Sequence, residues 1–244
     1  MSKIIVARSR LPRLSPARDL VEQTVTALRQ SILAGNFADH DNLPSQGELS
    51  EQLGVSRPVV REATRILQSQ GLLRISQGRK PQVQPAGPQA MIESLNTLLE
   101  RADVALPHLA EARVPLESEI AGLAAERAQP EDLRALRQTI HDLKVATNLE
   151  ARVQADVDFH RRLAQATRNP IFEWLLEALA KLLRESRRRT IRLVGAEVAL
   201  AHHTHILRAV ESGDGKAARK AMRDHLEAAR SDIARSTRKL ARRG

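Results

Sequence analysis

A chain of 244 residues with 42% hydrophobic side chains is long enough to bury one large core or two modest ones, which excludes a disordered polymer. Aromatic residues are only 2%, with tyrosine absent and Ala, Leu and Arg abundant, so helices packed through aliphatic side chains are expected rather than a large sheet. A formal charge of +10 favours a polyanionic partner, and the absence of cysteine excludes disulfides and thiolate ligands, leaving imidazole, carboxylate and water for any metal.

The first residues, MSKIIVARSRLPRLSP, lack an apolar core of signal-peptide length, and no apolar run long enough to span a membrane follows. A cytoplasmic protein with no membrane partner is expected. In residues 18–34, Leu20, Val21, Val25, Leu28, Ile32 and Leu33 recur at helical spacing and Gly35 stops the pattern. Pro44 and Ser45 then open a second helix of about two turns, with Leu49 and Leu53 as its stripe and Gly54 as its end. Ser56 caps a third helix that takes Pro58 in its first turn, turns Val59, Ala63, Ile66 and Leu67 inward, and ends at Gly71. LLRIS and PQVQP read as two short strands around a turn at Gln77-Gly78.

Helix, short helix, turn, helix and hairpin form a winged helix-turn-helix, whose recognition helix lies in a major groove with its N-terminal residues toward the base edges. Ser56, Arg57 and Arg61 stand at that end. The two arginines lie one turn apart opposite the apolar stripe, within reach of guanine or phosphate. Gln77, Gly78, Arg79 and Lys80 would place a tight turn and two cations beside the minor groove or backbone. As single residues these cations read equally well as ordinary surface charges; their coincidence with the element order is what points to DNA.

The stretch LPSQGELSEQLGVSRPVVREATRILQSQGLLR followed by SQGRKPQV resembles the GntR family of bacterial transcription regulators. The resemblance implies that Ser56, Arg57 and Arg61 contact DNA from the recognition helix, with Gln77 and Gly78 in the wing. Gln46-Gly47 departs from the family's usual Glu-Arg, Ala63-Thr64 from its Ala-Leu, and His40 stands at a usual glycine position. The first departure bears on operator sequence; the others leave the fold intact.

Two prolines and a glycine in QPAGPQ (84–89) mark a linker. Beyond it, helical stripes recur near 90–102, 107–127, 130–145, 149–168, 170–195, 197–212 and 215–241, which predicts an all-helical antiparallel bundle. Asp156 and His160 share one helix face. His203 lies among Ala199, Leu200, Ile206, Leu207 and Val210, and His225 among Ala218, Met222 and Ala229, so all four point toward the bundle core. Burying them unpaired would cost several kcal/mol in sum, a cost that a shared divalent cation removes. Imidazole with carboxylate and no sulfur suits zinc, nickel or another first-row ion. His202 and His205 should face the surface or the helix edge, and Asp158 away from His160.

DVDFH (156–160), RNP (168–170), HHTHILRAVESGD (202–214) and HL (225–226) resemble the FCD branch of the same family, which implies Asp156, His160, His203 and His225 as metal ligands. The family's E-x-R-x-x-L-E motif is matched at Glu111, Arg113 and Glu117. Arg113 either clamps an effector carboxylate bidentately or forms a structural ion pair with a neighbouring acid.

The expected organisation is mainly α. It comprises an N-terminal extension (1–17), a winged helix-turn-helix with a small β wing (18–85), a linker (86–90), a helical FCD-like effector-binding and dimerisation domain (91–235) and a basic tail (236–244). The expected function is ligand-responsive, metal-assisted regulation of transcription, with repression as the commoner outcome. The partners are double-stranded DNA with a palindromic operator, a small carboxylate or sugar-acid effector, and a second copy of the chain. The chief rival is a metal-dependent hydrolase fused to a DNA-binding domain, but H-E-x-x-H, nucleophile-elbow and phosphate-loop motifs are missing. A charge-driven DNA packer would not need a polar bundle core.

Overall fold

The computed structural model describes residues 17–85, 87–102 and 106–241. Most of the N-terminal extension and residues 242–244 of the basic tail therefore lie outside the described residues. The chain divides into two compact units, residues 1–90 and 91–244.

The first unit contains α1 (Ala17–Leu33), α2 (Gln46–Leu53), α3 (Arg57–Ser69), β1 (Leu73–Arg74) and β2 (Gln82–Val83). α2 starts with a capping box. The Ser45 hydroxyl accepts from the Glu48 amide at 3.3 Å, and the Glu48 carboxylate accepts from the Ser45 amide at 2.6 Å, so two N–H groups left over by the helix are satisfied. Gly54 ends α2 at φ 65°, a left-handed conformation that glycine adopts without a Cβ penalty, and its amide bonds back to Ser50. Val25, Leu28, Leu43, Leu49, Val60, Ala63, Leu67, Leu73 and Val83 close the core of this unit.

β1 and β2 pair antiparallel, Leu73 opposite Val83 and Arg74 opposite Gln82. Asn42 bridges to Gln82 on the other side, while the Val83 amide donates to the Asp41 carbonyl and the Leu43 amide to the Pro81 carbonyl, both at 2.8 Å. A third short segment thus runs beside the hairpin, which period-two patterning could not show because it contributes a single bridge. His40 precedes it at φ 68°, occupying the left-handed conformation of the usual glycine.

The second unit is built from α4 (Gln89–Arg101), α5 (Leu106–Arg127), α6 (Pro130–Val145), α7 (Leu149–Ala166), α8 (Pro170–Ala178), α9 (Ala180–Val194), α10 (Ala196–Glu211) and α11 (Gly215–Ala241). α4 thus begins just before the junction of the units. Asn148 and Asn169 cap α7 and α8, accepting from the amides of Ala151 and Ile171. The single helix expected over 170–195 is in fact two. It breaks at Leu179, which carries no proline or glycine signal and whose amide is shared between the Leu175 and Leu176 carbonyls. Apolar residues continue on both sides of the break, so periodicity alone ran through it.

Alanines 121, 124, 164, 209, 218 and 221 let the helix backbones approach closely around Phe159, Leu163, Ile206 and Met222. Phe159 is fully buried and stacks on the His203 ring with centroids 4.0 Å apart and planes 11° from parallel. Truncation of Phe159 to alanine is expected to destabilise the helical unit by about 3–5 kcal/mol, the cost of a large core cavity. Urea denaturation followed by helical circular dichroism checks this, and a loss below about 1 kcal/mol would contradict the packing.

Candidate DNA interface and metal centre

Ser56, Arg57, Arg61, Gln77, Gly78 and Arg79 are all exposed. Ser56 occupies the N-cap of α3, yet its hydroxyl makes no capping bond, and Pro58 stands in the first turn. Buried Val59, Val60, Ala63, Thr64 and Leu67 form the inner face, which leaves Arg57 and Arg61 outward. The Arg57 guanidinium lies over Gly47: a Cβ there would come within 3.4 Å of Nη2, so the glycine gives Arg57 a shelf that a long side chain would occupy. In the wing, Gly78 turns at φ 70°. Lys80 ties the wing to α2 through Glu48 at 3.2 Å, and Arg74, Arg79 and Lys80 line one concave surface with Asn42, Ser76 and Gln82.

Five helices of the second unit converge on a buried polar cluster. α7 brings Asp156 and His160, α10 His203, α11 His225, α9 Arg187, and α5 both Arg113 and Glu117. All are at least 97% buried. The imidazole centroids are 5.0–5.4 Å apart, and His160, His203 and His225 each offer a ring nitrogen within 4.8 Å of the others. Asp156 Oδ1 lies 3.5 Å from His203 Nε2, and Asp156 Oδ2 3.8 Å from His160 Nε2. Ligand atoms about 2.1 Å from a tetrahedral ion sit roughly 3.4 Å apart, so the three imidazoles would have to contract onto one centre, and Asp156, which lies beside His160 and His203 but outside the mutual three-histidine group, would have to move in to join them.

Two residues not singled out from the sequence complete the cluster. Arg187 Nε approaches Asp156 Oδ2 to 2.6 Å as a charge contact without hydrogen-bond alignment, while its Nη2 donates to His160 Nε2 at 2.9 Å and to His225 Nε2 at 3.4 Å. Glu117 contacts His160 Nδ1 on one side and on the other accepts a forked pair of hydrogen bonds from Arg113, one to each carboxylate oxygen. Of the two roles open to Arg113, the structure shows the ion pair: its guanidinium is taken up by Glu117, and it does not line the neighbouring cavity. Arg187 was hidden in the run RESRRRTIR, but Leu183, Ser186, Arg187, Thr190 and Ile191 form the buried stripe of α9. An arginine four residues from Leu183 and four from Ile191, on the face those two bury, was the available signal.

Burial, which penalises the charged form, pushes His203 down to about 3, His225 well below its ordinary value, and His160 lower as well. All three rings are neutral near pH 7. Burial would raise both carboxyls, but the Arg187 guanidinium holds Asp156 below its usual value and that of Arg113 does the same for Glu117. Arg187, lowered to about 10 by burial and then by Arg113, stays protonated. The two guanidiniums and two carboxylates therefore cancel.

The residues fit a metal on chemical grounds. His203 is fully buried with neither ring nitrogen hydrogen-bonded, and Asp156 Oδ1 is likewise without such a partner. Neutral imidazoles and a carboxylate, with no thiolate, are the donor set of a divalent first-row ion. Beside the cluster opens a cavity of about 340 Å³ including open solvent, in which about 20 Å³ is available to the centre of a water molecule. Asp156, Arg187, Thr190, His202, His225 and the buried Asp232 give it a polar wall. His202, expected at the surface or the edge, is half-buried with its ring 5.3 Å from His225; His205 is exposed. Asp158 pairs with Gln154 and Arg161.

The FCD domain profile matches residues 108–228, and that of bacterial regulatory proteins of the gntR family matches residues 20–81. The chain is 31% identical to the Uxu operon regulator of Haemophilus influenzae, covering 86% of this chain and 81% of that one. It is 30% identical to the HTH-type transcriptional repressor NanR of Cronobacter sakazakii, covering 91% and 88%. Among solved structures, a GntR protein of Streptococcus agalactiae aligns with a TM-score of 0.70 at 28% identity, over 86% of this chain and 99% of that one. These relatives are named regulators, not enzymes, so the hydrolase alternative falls away.

The neutral imidazoles give stability a definite pH dependence. Unfolded histidines take up a proton near about pH 6.5 and the buried ones only at lower pH, so the unfolded chain binds more protons between these limits and acid favours unfolding. The melting temperature in EDTA is expected to fall from about pH 7.5 to about pH 5, and His203→Gln should lessen the drop. A melting temperature that holds or rises on acidification would contradict burial of three neutral rings. The two matched domains and the relatives matched over more than four fifths of their length place the chain in the GntR family of bacterial transcriptional regulators, in its FCD branch.

Proposed function

We propose that this ligand-responsive DNA-binding regulator acts as a repressor, a homodimer on a palindromic operator, whose helical unit holds a divalent metal and senses a small carboxylate. On the DNA side, Arg57 and Arg61 read base edges. Ser56, Gln77, Gly78 and Arg79 hold phosphates, a division that fits an uncapped hydroxyl at a helix N-terminus and a glycine turn flanked by cations. The names of the relatives, one a repressor and one an operon regulator, support repression.

The single observation that carries the sensing half is the convergence of His160, His203 and His225, with Asp156 against two of them and buried atoms left unpartnered, beside a cavity. Zinc or nickel suits the donor set. A bound divalent ion would add two positive charges to a cluster whose own charges cancel, creating a demand for an anion at an open coordination position. Arg113 contributes indirectly, by holding Glu117 against His160 so that Nδ1 carries the proton and Nε2 presents its lone pair. An effector that binds one arrangement of the bundle better than another shifts the population, and with it the affinity for DNA.

Two complementary variants test the reading. Arg57→Ala is expected to weaken operator binding by roughly 5- to 150-fold, the worth of a base contact, while binding to random DNA is largely kept and zinc content is unchanged. His203→Ala with His225→Ala should do the reverse, losing zinc in elemental analysis and the DNA-release response to carboxylates while retaining the operator. Equal loss by Arg57→Ala on operator and random DNA would remove the base-reading assignment. Unchanged zinc in the double variant would remove the metal site.

A further inference from the structure

Arg187 makes contacts that compete with those of a metal. A guanidinium has only donors, so His160 Nε2 and His225 Nε2, 2.9 and 3.4 Å from Arg187 Nη2, must face it with their lone pairs. A metal ion held by His160 and His225 would use those same lone pairs, and an imidazole nitrogen has one. Asp156 Oδ2, 2.6 Å from Arg187 Nε, stands in the same position between two cations. Arg187 and the metal are thus alternatives for one set of atoms. Arg187 also lines the cavity that opens beside the cluster.

Resting on the metal reading above, we propose that Arg187 is the internal cation of this site, exchanged for the metal. In one state it satisfies Asp156 and two imidazoles; in the other its guanidinium turns into the adjoining cavity and grips the carboxylate of the effector. A planar fork matches a carboxylate bidentately, which a lysine at this position would not do. Metal occupancy then sets effector affinity, because the clamp is available only when the metal has taken over the imidazoles.

The cavity also limits the body of the ligand. Apart from that polar wall, which includes the buried carboxylate of Asp232, it is lined by Gly195 and by Ile191, Val194, Val198, Ala199, Ala228 and Ala229. A carboxylate with a short aliphatic chain suits the apolar walls, whereas a sugar acid would bury several hydroxyls against hydrocarbon.

The test compares the full-length wild type, Arg187→Ala and Arg187→Lys in thermal melts with EDTA or with zinc, and in competition with a zinc chelator. In EDTA, Arg187→Ala leaves the buried Asp156 without its cation and is expected to melt about 4 °C or more below wild type. With zinc that gap should close. Zinc affinity should rise roughly tenfold in Arg187→Ala, because a competitor for the ligand atoms is gone, and less in Arg187→Lys. Butyrate should raise the melting temperature of zinc-loaded wild type but not of zinc-loaded Arg187→Ala, and glucuronate should act on neither.

A gap that zinc leaves unchanged overturns the exchange while leaving the metal reading intact, and wild type that takes up no zinc overturns both. Should Arg187→Ala not fold, Arg187→Lys carries the test, and zinc affinity equal to wild type in that variant contradicts the proposal. Glucuronate binding more tightly than butyrate overturns the assigned ligand class.

Discussion

Asp156 is a carboxylate with no solvent exposure in the middle of a helical bundle, and the polar interior of the second unit is organised around neutralising it. An isolated buried charge is costly, so α9 and α10 must bring Arg187 and His203 to it. Those contacts in turn orient His160, which Glu117 and Arg113 hold from the opposite side. The result is a chain of polar side chains through five helices, closed in charge but not in hydrogen bonding. Atoms left without partners in so dry a place point to the function, because a site built only for stability would have been better filled with hydrocarbon.

The DNA-binding unit solves a different problem with local means. Its elements are short and its core small, so their ends carry much of the specification: the Ser45–Glu48 capping box, the left-handed Gly54 and the wing tied to α2 by Lys80. These features hold the exposed end of α3 in place. The Gly47 shelf beneath Arg57 belongs to the same economy of small parts, and it occurs at a position where this chain departs from its family. Departure and contact coincide at Gly47, where the missing side chain leaves room for the Arg57 guanidinium.

Much of this could be read from the sequence, and the exceptions have physical causes. Gly35, Gly54 and Gly71 marked element ends because positive φ favours glycine, and all three adopt it. The four metal-ligating candidates were found because each sat on an apolar stripe of 3.6-residue period, a pattern that survives folding unchanged. Leu179 could not be seen, since a break without proline or glycine is decided by tertiary packing and leaves no local mark. Arg187 was masked by the charges beside it in RESRRRTIR, and Glu117 by reading its motif around Arg113. Buried ion pairs depend on which helices meet, which one sequence does not encode in its spacing.

The account stands on four donor atoms reaching one divalent ion. X-ray absorption spectroscopy at the metal edge of the purified full-length protein tests this most directly. Three imidazole nitrogens and a carboxylate oxygen at about 2.0–2.2 Å, with a further oxygen-donor position that changes when a short carboxylate is added, are the expected shell. Protein carrying no stoichiometric metal after incubation with zinc or nickel, or a shell without imidazole scattering, would contradict it.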